Sequence, residues 1–371
     1  MWKKPLICMF KATFDPGLLF PEDGVCDLSF FGALEQKHAF LKDEGGEYNA
    51  ALDAFLAVAG KQHKTEHGVS LDHSCHLKTA EVLKDPVSKE TVKKLWGKKI
   101  YHWGFLTTDV YRVTEVNMTL LFEILKSLKT IVQEEIKPNR AHYYIFTGAL
   151  ASLYGTTLVT RLLKTVVWLD GIGFLGHLVE DDRNWNSGRM MPPTFWEDLN
   201  MPDHAYMYYL RTAHKGVRHL HAQNLNDTTF YITVTMAAKR YIPDEIYAYK
   251  AEMLHSKETL EVPVMNYCKN TNYEFGFQES EPIAPYYVSQ KERRFISFDD
   301  WRSLGIKLCK GRKKLLDANY GLIVYSTEMD YPTNQCGKSV YPRVKFLRKL
   351  MNFFRQNFTS PNSLETCHQL T

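Results

Sequence analysis

Eight short runs rich in β-branched and aromatic residues recur along this chain, and amphipathic helical stretches separate them. The runs are Leu6 to Phe10, Cys26 to Leu34, Glu66 to Leu71, Lys99 to Thr107, His142 to Gly148, Val166 to Phe174, Phe230 to Met236 and Gly321 to Ser326. Strands that alternate with helices build a parallel sheet, since each crossover helix carries the chain back to start the next strand in the same direction. Eight of them over 371 residues favour closure into a (β/α)8 barrel, the TIM barrel, over an open sheet. The chain is 44% hydrophobic, enough for one core of that size.

The helical signals agree. From Glu115 to Glu135 the residues Val116, Leu120, Ile124, Leu128, Ile131 and Val132 recur at spacings of three and four, so one face of that helix is buried. Asp299 and Asp300 are placed to cap a helix carrying Trp301, Leu304 and Leu308, and Pro342 can open a last helix carrying Val344, Leu347, Leu350 and Phe354. The stretch from Ile242 to Ile296 is too long for a simple loop and predicts a small insertion between strand seven and helix seven. The expected organisation is one barrel over residues 1–356, with the insertion at about 242–296 and a C-terminal tail over 357–371.

Charge and cysteine usage narrow the function classes. Lys and Arg number 46 against 42 Asp and Glu, and a formal charge of +4 spread thinly over a large surface argues against a nucleic-acid partner. The nearest thing to a basic run, Lys307 to Lys314, reads as a solvated helix face. No stretch approaches the roughly 18 uninterrupted apolar residues of a membrane span, and Leu158 to Leu178 is broken by Arg161, Lys164 and Asp170. The N-terminal run to Phe10 is too short for a signal peptide and lacks a small-residue cleavage site.

Seven cysteines, Cys8, Cys26, Cys75, Cys268, Cys309, Cys336 and Cys367, are too scattered for a paired metal knuckle. Acceptor sequons at Asn117, Asn226 and Asn357 lean towards a secreted glycoprotein. His63-Lys64-Thr65-Glu66-His67 fits the H-x-x-E-H arrangement that binds zinc on a helix, and His73, Cys75 and His76 lie nearby. Gly68-Val69-Ser70-Leu71 follows at once as a strand, which would hold the two histidines too far apart, so neither a metal nor a cofactor is expected.

Several motifs, in order, resemble one family. Tyr267-Cys268, Ile283-Ala284-Pro285-Tyr286-Tyr287, Phe295-Ile296-Ser297-Phe298-Asp299-Asp300 and Gly321-Leu322-Ile323-Val324-Tyr325-Ser326-Thr327-Glu328-Met329-Asp330, followed by Cys336 and Tyr341-Pro342, resemble the C-terminal third of glycoside hydrolase family 18, the chitinases and chitinase-like lectins. Leu6-Ile7-Cys8 and Phe20 to Asp27 resemble its first two strands, while the centre from Ala50 to Met236 matches only in the order of elements. The resemblance implies the pairs Cys8 with Cys26 and Cys268 with Cys336, and disulfides would place the chain outside the reducing cytosol. Cys75, Cys309 and Cys367 are left over.

The family's catalytic acid is missing. Its fourth strand carries D-x-x-D-x-D-x-E, whose last Glu protonates the glycosidic oxygen while the substrate's acetamido group acts as nucleophile. Here that strand reads Trp103-Gly104-Phe105-Leu106-Thr107-Thr108-Asp109-Val110-Tyr111. One register turns Leu106, Thr108 and Val110 inward; a slip by one residue turns in Phe105, Thr107 and Asp109, leaving Asp109 as the sole acid. The sixth-strand "MTYDFHG" faces Asp170 to Gly176, the seventh-strand "YGRSF" keeps only Arg240, and the eighth-strand Trp is Tyr325. The resemblance therefore implies a catalytically silent, secreted, monomeric chitinase-like protein that binds a glycan or a partner protein, through Tyr325, Arg240, Trp103 and Asp109. The alternative is a divergent glycosidase using Asp109 as its acid.

Overall fold

The computed structural model describes residues 5–34, 50–73, 76–106, 115–136, 145–153, 155–179, 190–195, 210–225, 227–243, 256–278, 283–316, 318, 320–333, 335–337 and 339–370. Its strands are β1 (Leu6–Lys11), β2 (Leu28–Leu34), β3 (Glu66–Leu71), β4 (Ile100–Phe105), β5 (Thr147–Ala151), β6 (Gly171–Phe174), β7 (Thr229–Thr235), β8 (Ala238–Pro243), β9 (Ser256–Val262), β10 (Glu274–Gln278), β11 (Ala284–Ser289), β12 (Arg294–Ser297) and β13 (Tyr320–Tyr325). The helices are α1 (Ala50–Lys61), α2 (His76–Val82), α3 (Pro86–Gly97), α4 (Glu115–Ile136), α5 (Thr156–Thr165), α6 (Leu210–His221), α7 (Trp301–Lys314), α8 (Pro342–Gln356) and α9 (Ser363–His368).

Eight of the strands close into a parallel barrel in the order β1-β13-β7-β6-β5-β4-β3-β2, so the expected (β/α)8 architecture is what the chain adopts. Period-two alternation sorts its side chains. Ile7, Met9, Leu28, Phe30, Phe146, Leu150, Tyr231 and Ile323 fill the interior, and the opposite faces pack on the helices. Between β7 and α7 lies the insertion, an antiparallel sheet ordered β10-β11-β12-β8-β9.

Two strands, β5 and β6, start five residues later than their sequences predict. β5 begins at Thr147, where His142 to Gly148 was expected, and residues 137–144 lie outside the described set. Gly148, Ala149 and Ala151 have little strand propensity of their own; pairing with β4 and β6 on either side makes them a strand. Their small size also has a use. A Cβ at Gly148 or Gly171 would stand 2.6 Å from the Phe146 ring, so both glycines admit that ring to the barrel centre. β6 begins only after Asp170, whose Oδ2 accepts from Thr147 N, Thr147 Oγ1 and Lys129 Nζ at 2.9, 2.8 and 3.0 Å.

The carboxylates of the recognisable motifs act as staples. Asp300 caps α7 with Ser303 in a capping box, while buried Asp299 accepts from Lys307 Nζ at 2.6 Å and from Thr194 N at 3.0 Å. Asp330 accepts from Arg343 Nε at 2.6 Å and from Val344 N at 2.8 Å at the start of α8, which opens on Pro342 as expected. The Arg343 guanidinium also donates to the carbonyls of Met236, Asp299 and Met329, so one buried cation joins the ends of β7 and β13 to the insertion. Asp27 does the same at the other end, accepting from Leu6 N, Arg348 and Arg355.

Disulfides join Cys8 to Cys26 and Cys268 to Cys336, with Cα separations of 6.0 and 5.6 Å. A third joins Cys309 of α7 to Cys367 of α9 at 5.9 Å, tying the last helix down; Cys75 lies outside the described residues. Among the described residues no helix is long and apolar enough to cross a membrane.

Candidate functional site at the barrel mouth

In a (β/α)8 barrel, functional groups gather where the strands end at their C-terminal side. The described residues that meet there are Lys11, Leu106, His177, Tyr325 and Glu328, joined by Lys239 and Glu261 from the insertion sheet.

The strand-four register is decided by packing. Leu106 belongs to the interior cluster, whereas Phe105 packs outward in the helix-facing core beside His73 at 5.7 Å between ring centroids. The register that turns Phe105 inward is therefore not the one adopted. Thr107, Thr108, Asp109 and Val110 lie outside the described residues. Trp103, on the same face as Phe105, is 0% exposed in the strand–helix layer and presents no surface to a ligand.

Tyr325 occupies the expected place at the end of β13, inside the barrel. It is 8% exposed, its hydroxyl donates to the Leu106 carbonyl, and the His177 ring lies 4.7 Å from its own at an interplanar angle of 36°. Burial pushes the Tyr325 phenol well above its ordinary range. His177 and the Leu106 backbone occupy its surroundings, the environment of an aromatic that fills the barrel end. His177 Nδ1 lies 2.6 Å from Thr233 Oγ1, which also accepts from Gly176 N at 2.9 Å. Burial, with the cations Lys239 and Lys11, lowers His177 to about 3 against the pull of Glu261, so its imidazole is neutral.

Above them stands an ionic chain that the sequence did not disclose. Glu261 accepts from Lys239 at 2.9 Å through Oε1 and from Lys11 at 2.8 Å through Oε2. Burial pushes the Glu261 carboxyl up, but the two lysines overcome it and hold it at about 2. Arg240, the seventh-strand residue expected to bind, is next to Lys239 on β8, and alternation turns it to the opposite face. The lysine, not the arginine, reaches the mouth.

Glu328 completes the group. Ser326 adopts a left-handed backbone at φ 50°, and the turn it makes folds Thr327–Met329 back over β1. Glu328 Oε2 then accepts from Lys11 N at 3.3 Å, while Oε1 is enclosed with no hydrogen-bond partner. Burial raises this carboxyl to about 7. Glu328 stood within the quoted eighth-strand motif, but nothing in its spacing marks one of its oxygens as enclosed.

The H-x-x-E-H residues are dispersed. His63 sits in a turn with its N–H donating to Asp23 at 2.9 Å, and His67 is buried in β3 against Phe55. Glu66 instead bonds His102 at 2.8 Å at the opposite end of the barrel. His76 Nδ1 lies 2.5 Å from the His73 carbonyl, and among the described residues no cluster of three or more His, Cys, Asp or Glu is arranged to hold a metal. Of the sequons, Asn117 is half-buried on α4, Asn357 is exposed at the end of α8, and Asn226 lies outside the described residues.

Comparison with solved structures places the fold among chitinases and chitinase-like proteins. The barrel superposes on human YKL-39, described as a pseudo-chitinase with retained chitooligosaccharide binding properties, with a TM-score of 0.66 and 13% identity over 93% of this chain and 99% of that one. It also superposes on the immunomodulatory active chitinase TsES1 from Trichuris suis, with a TM-score of 0.64 and 12% identity over 94% and 99% of the two chains. A class V chitinase from Nicotiana tobaccum gives 0.63 and 12% over 94% and 98%. No family model and no curated protein sequence matches the chain. At these identities the likeness establishes the chitinase-type barrel, and the chemistry has to be argued from the residues.

Proposed function

We propose that this chain is a secreted, catalytically silent chitinase-like protein that binds a glycan, with a protein partner as the competing ligand class. The observation that carries the reading is the bond from the Tyr325 hydroxyl to the Leu106 carbonyl, which ties up, inside the barrel, the aromatic that stands where the family has its sugar-stacking Trp. Leu106 supports it too, being an apolar side chain at an inward strand-four position. So does Asp170, just ahead of β6, which is bound at the wrong end of the barrel to orient an acetamido group. Donation of a proton to the leaving oxygen is typically worth about 10² to 10⁴ in rate, and among the described mouth carboxylates neither Glu261 nor Glu328 stands free to give one. Glu261 is held ionised by two lysines, and Glu328 is enclosed.

Secretion is supported by the three disulfides, and glycan binding by the chitooligosaccharide-binding pseudo-chitinase that shares the fold. The domain organisation proposed is the barrel over 1–356, its insertion at about 242–296, and the tail over 357–371.

A chitooligosaccharide turnover assay run beside a glycan array tests the reading. Binding to N-acetylglucosamine oligomers without cleavage is the expected result. Turnover that disappears in Asp109→Ala would overturn it and establish the divergent glycosidase; a blank array with capture of a defined extracellular protein would move the ligand class to protein.

A further inference from the structure

Four ionisable side chains meet at the mouth in an unequal arrangement. Lys11 of β1 and Lys239 of β8 share one carboxylate, Glu261 of β9, which takes Lys239 on Oε1 at 2.9 Å and Lys11 on Oε2 at 2.8 Å. Glu328 forms no ion pair among the described residues, although its Oε2 accepts from the main-chain N–H of Lys11 at 3.3 Å and its Oε1 is enclosed without a hydrogen-bond partner. An unpaired charge in such an enclosure costs far more than a neutral acid, so burial keeps this carboxyl protonated up to about pH 7. Below that pH two cations stand against one anion.

The turn that carries Glu328 is fixed at both ends. Ser326 and Tyr331, left-handed at φ 50° and 49°, bracket it, Thr327 Oγ1 donates to the Val324 carbonyl at 3.0 Å, and Asp330 is held by Arg343 and Val344 N. An ionised Glu328 therefore cannot easily swing out to water. Lys11 can come to it instead. The Lys11 side chain is 32% exposed where that of Lys239 is 1% exposed, and its own N–H already lies on the Glu328 carboxyl. Glu261 can release Lys11, because Lys239 stays and leaves a one-to-one pair.

The other titratable groups around the turn hold their state through neutrality. Tyr341, which faces Glu328 from the start of α8, and Tyr325 are pushed by burial far above the ordinary phenol range. His177 is neutral, with its pKa lowered to about 3, and Glu261 is held ionised at about 2.

We propose that Lys11 is a switch between two carboxylates, tying β1 to Glu261 of the insertion sheet while Glu328 is protonated and crossing to Glu328 once that carboxyl ionises. The proton goes from Glu328 to solvent, Lys239 keeps Glu261, and each anion then has one cation. The tie between the barrel and β9 is made on the acid side of neutrality and released on the alkaline side.

Amide hydrogen exchange of the full-length chain, followed from about pH 5.5 to about pH 8.5 and corrected for the intrinsic rate, tests the switch. Amides of β9 should exchange at least roughly three-fold faster above the transition than below it, while those of the barrel strand β4 change by less than about 1.5-fold. In Glu328→Gln, which fixes the neutral form, β9 should exchange slowly throughout; in Lys11→Gln, which has no charge to move, it should exchange fast throughout. The two variants remove the step in opposite directions, so either one suffices should the other fail to fold. A wild type without the step, a step of equal size in β4, or a step that persists in either variant overturns the proposal.

Discussion

The Tyr325 hydroxyl at the end of β13 donates to the main-chain carbonyl of Leu106 just past β4, and those two strands stand on opposite walls of the eight-stranded ring. One side chain therefore spans the barrel and joins its two halves above Ile323 and Leu150.

Loss of that bond should be felt as stability. Tyr325→Phe keeps the ring and leaves a buried carbonyl without its donor, so it should cost about 1–3 kcal/mol in a urea titration. Tyr325→Ala adds a cavity, for about 3–5 kcal/mol in all. A Tyr325→Phe variant within about 0.3 kcal/mol of wild type would mean that the hydroxyl does nothing for the closed barrel.

Acid should destabilise the protein through its buried histidines. Burial lowers His67, His73 and His214 from 6.5 to about 4 and His177 to about 3, so each binds its proton more weakly folded than unfolded. Their stabilising contribution is present above pH 6.5 and is lost as pH falls towards 4. Across that window the slope of unfolding free energy against pH should drop by about one proton in His214→Gln. An unchanged slope would show that His214 titrates normally in the native state.

Glu328 works in the opposite sense. Its carboxyl rises from 4.5 to about 7, so the folded chain holds that proton more tightly than the unfolded one, and stability falls as pH rises from 4.5 through 7. Glu328→Gln fixes the neutral form and should be more stable than wild type at pH 8, by on the order of 2–3 kcal/mol, while differing little at pH 4. A pH-independent difference between the two proteins would refute a raised Glu328.

The ion pairs of Glu261 should be costly to break. Glu261→Ala strands Lys239, which is 1% exposed, without its anion, and the expected loss is about 3–5 kcal/mol by chemical denaturation. Replacing both partners, as Glu261→Leu with Lys239→Met, should recover most of it. No recovery in the double variant would locate the cost in packing of the insertion sheet rather than in the stranded charge.

The third disulfide holds the C-terminal helix. Cys309 and Cys367 close a loop of 58 residues, and changing both to Ser should cost roughly 2–4 kcal/mol and let limited proteolysis remove α9 first. Protease resistance equal to wild type would show that packing alone retains the helix.

The sequence by itself determined the fold class. Hydrophobic alternation gave all eight barrel strands, β3 to the residue, because side-chain period is a local property that burial reads directly. Capping by Asp300 and the start of α8 at Pro342 were equally local, and both stand where the chain predicts them. Only the tertiary structure decided the start of β5, whose small residues are a strand by virtue of their neighbours, and the third disulfide, which joins helices far apart in sequence. It also decided the mouth. Lys11, His177, Lys239, Glu261 and Glu328 come from five separate segments, and no spacing along the chain foretells that they will meet at one point.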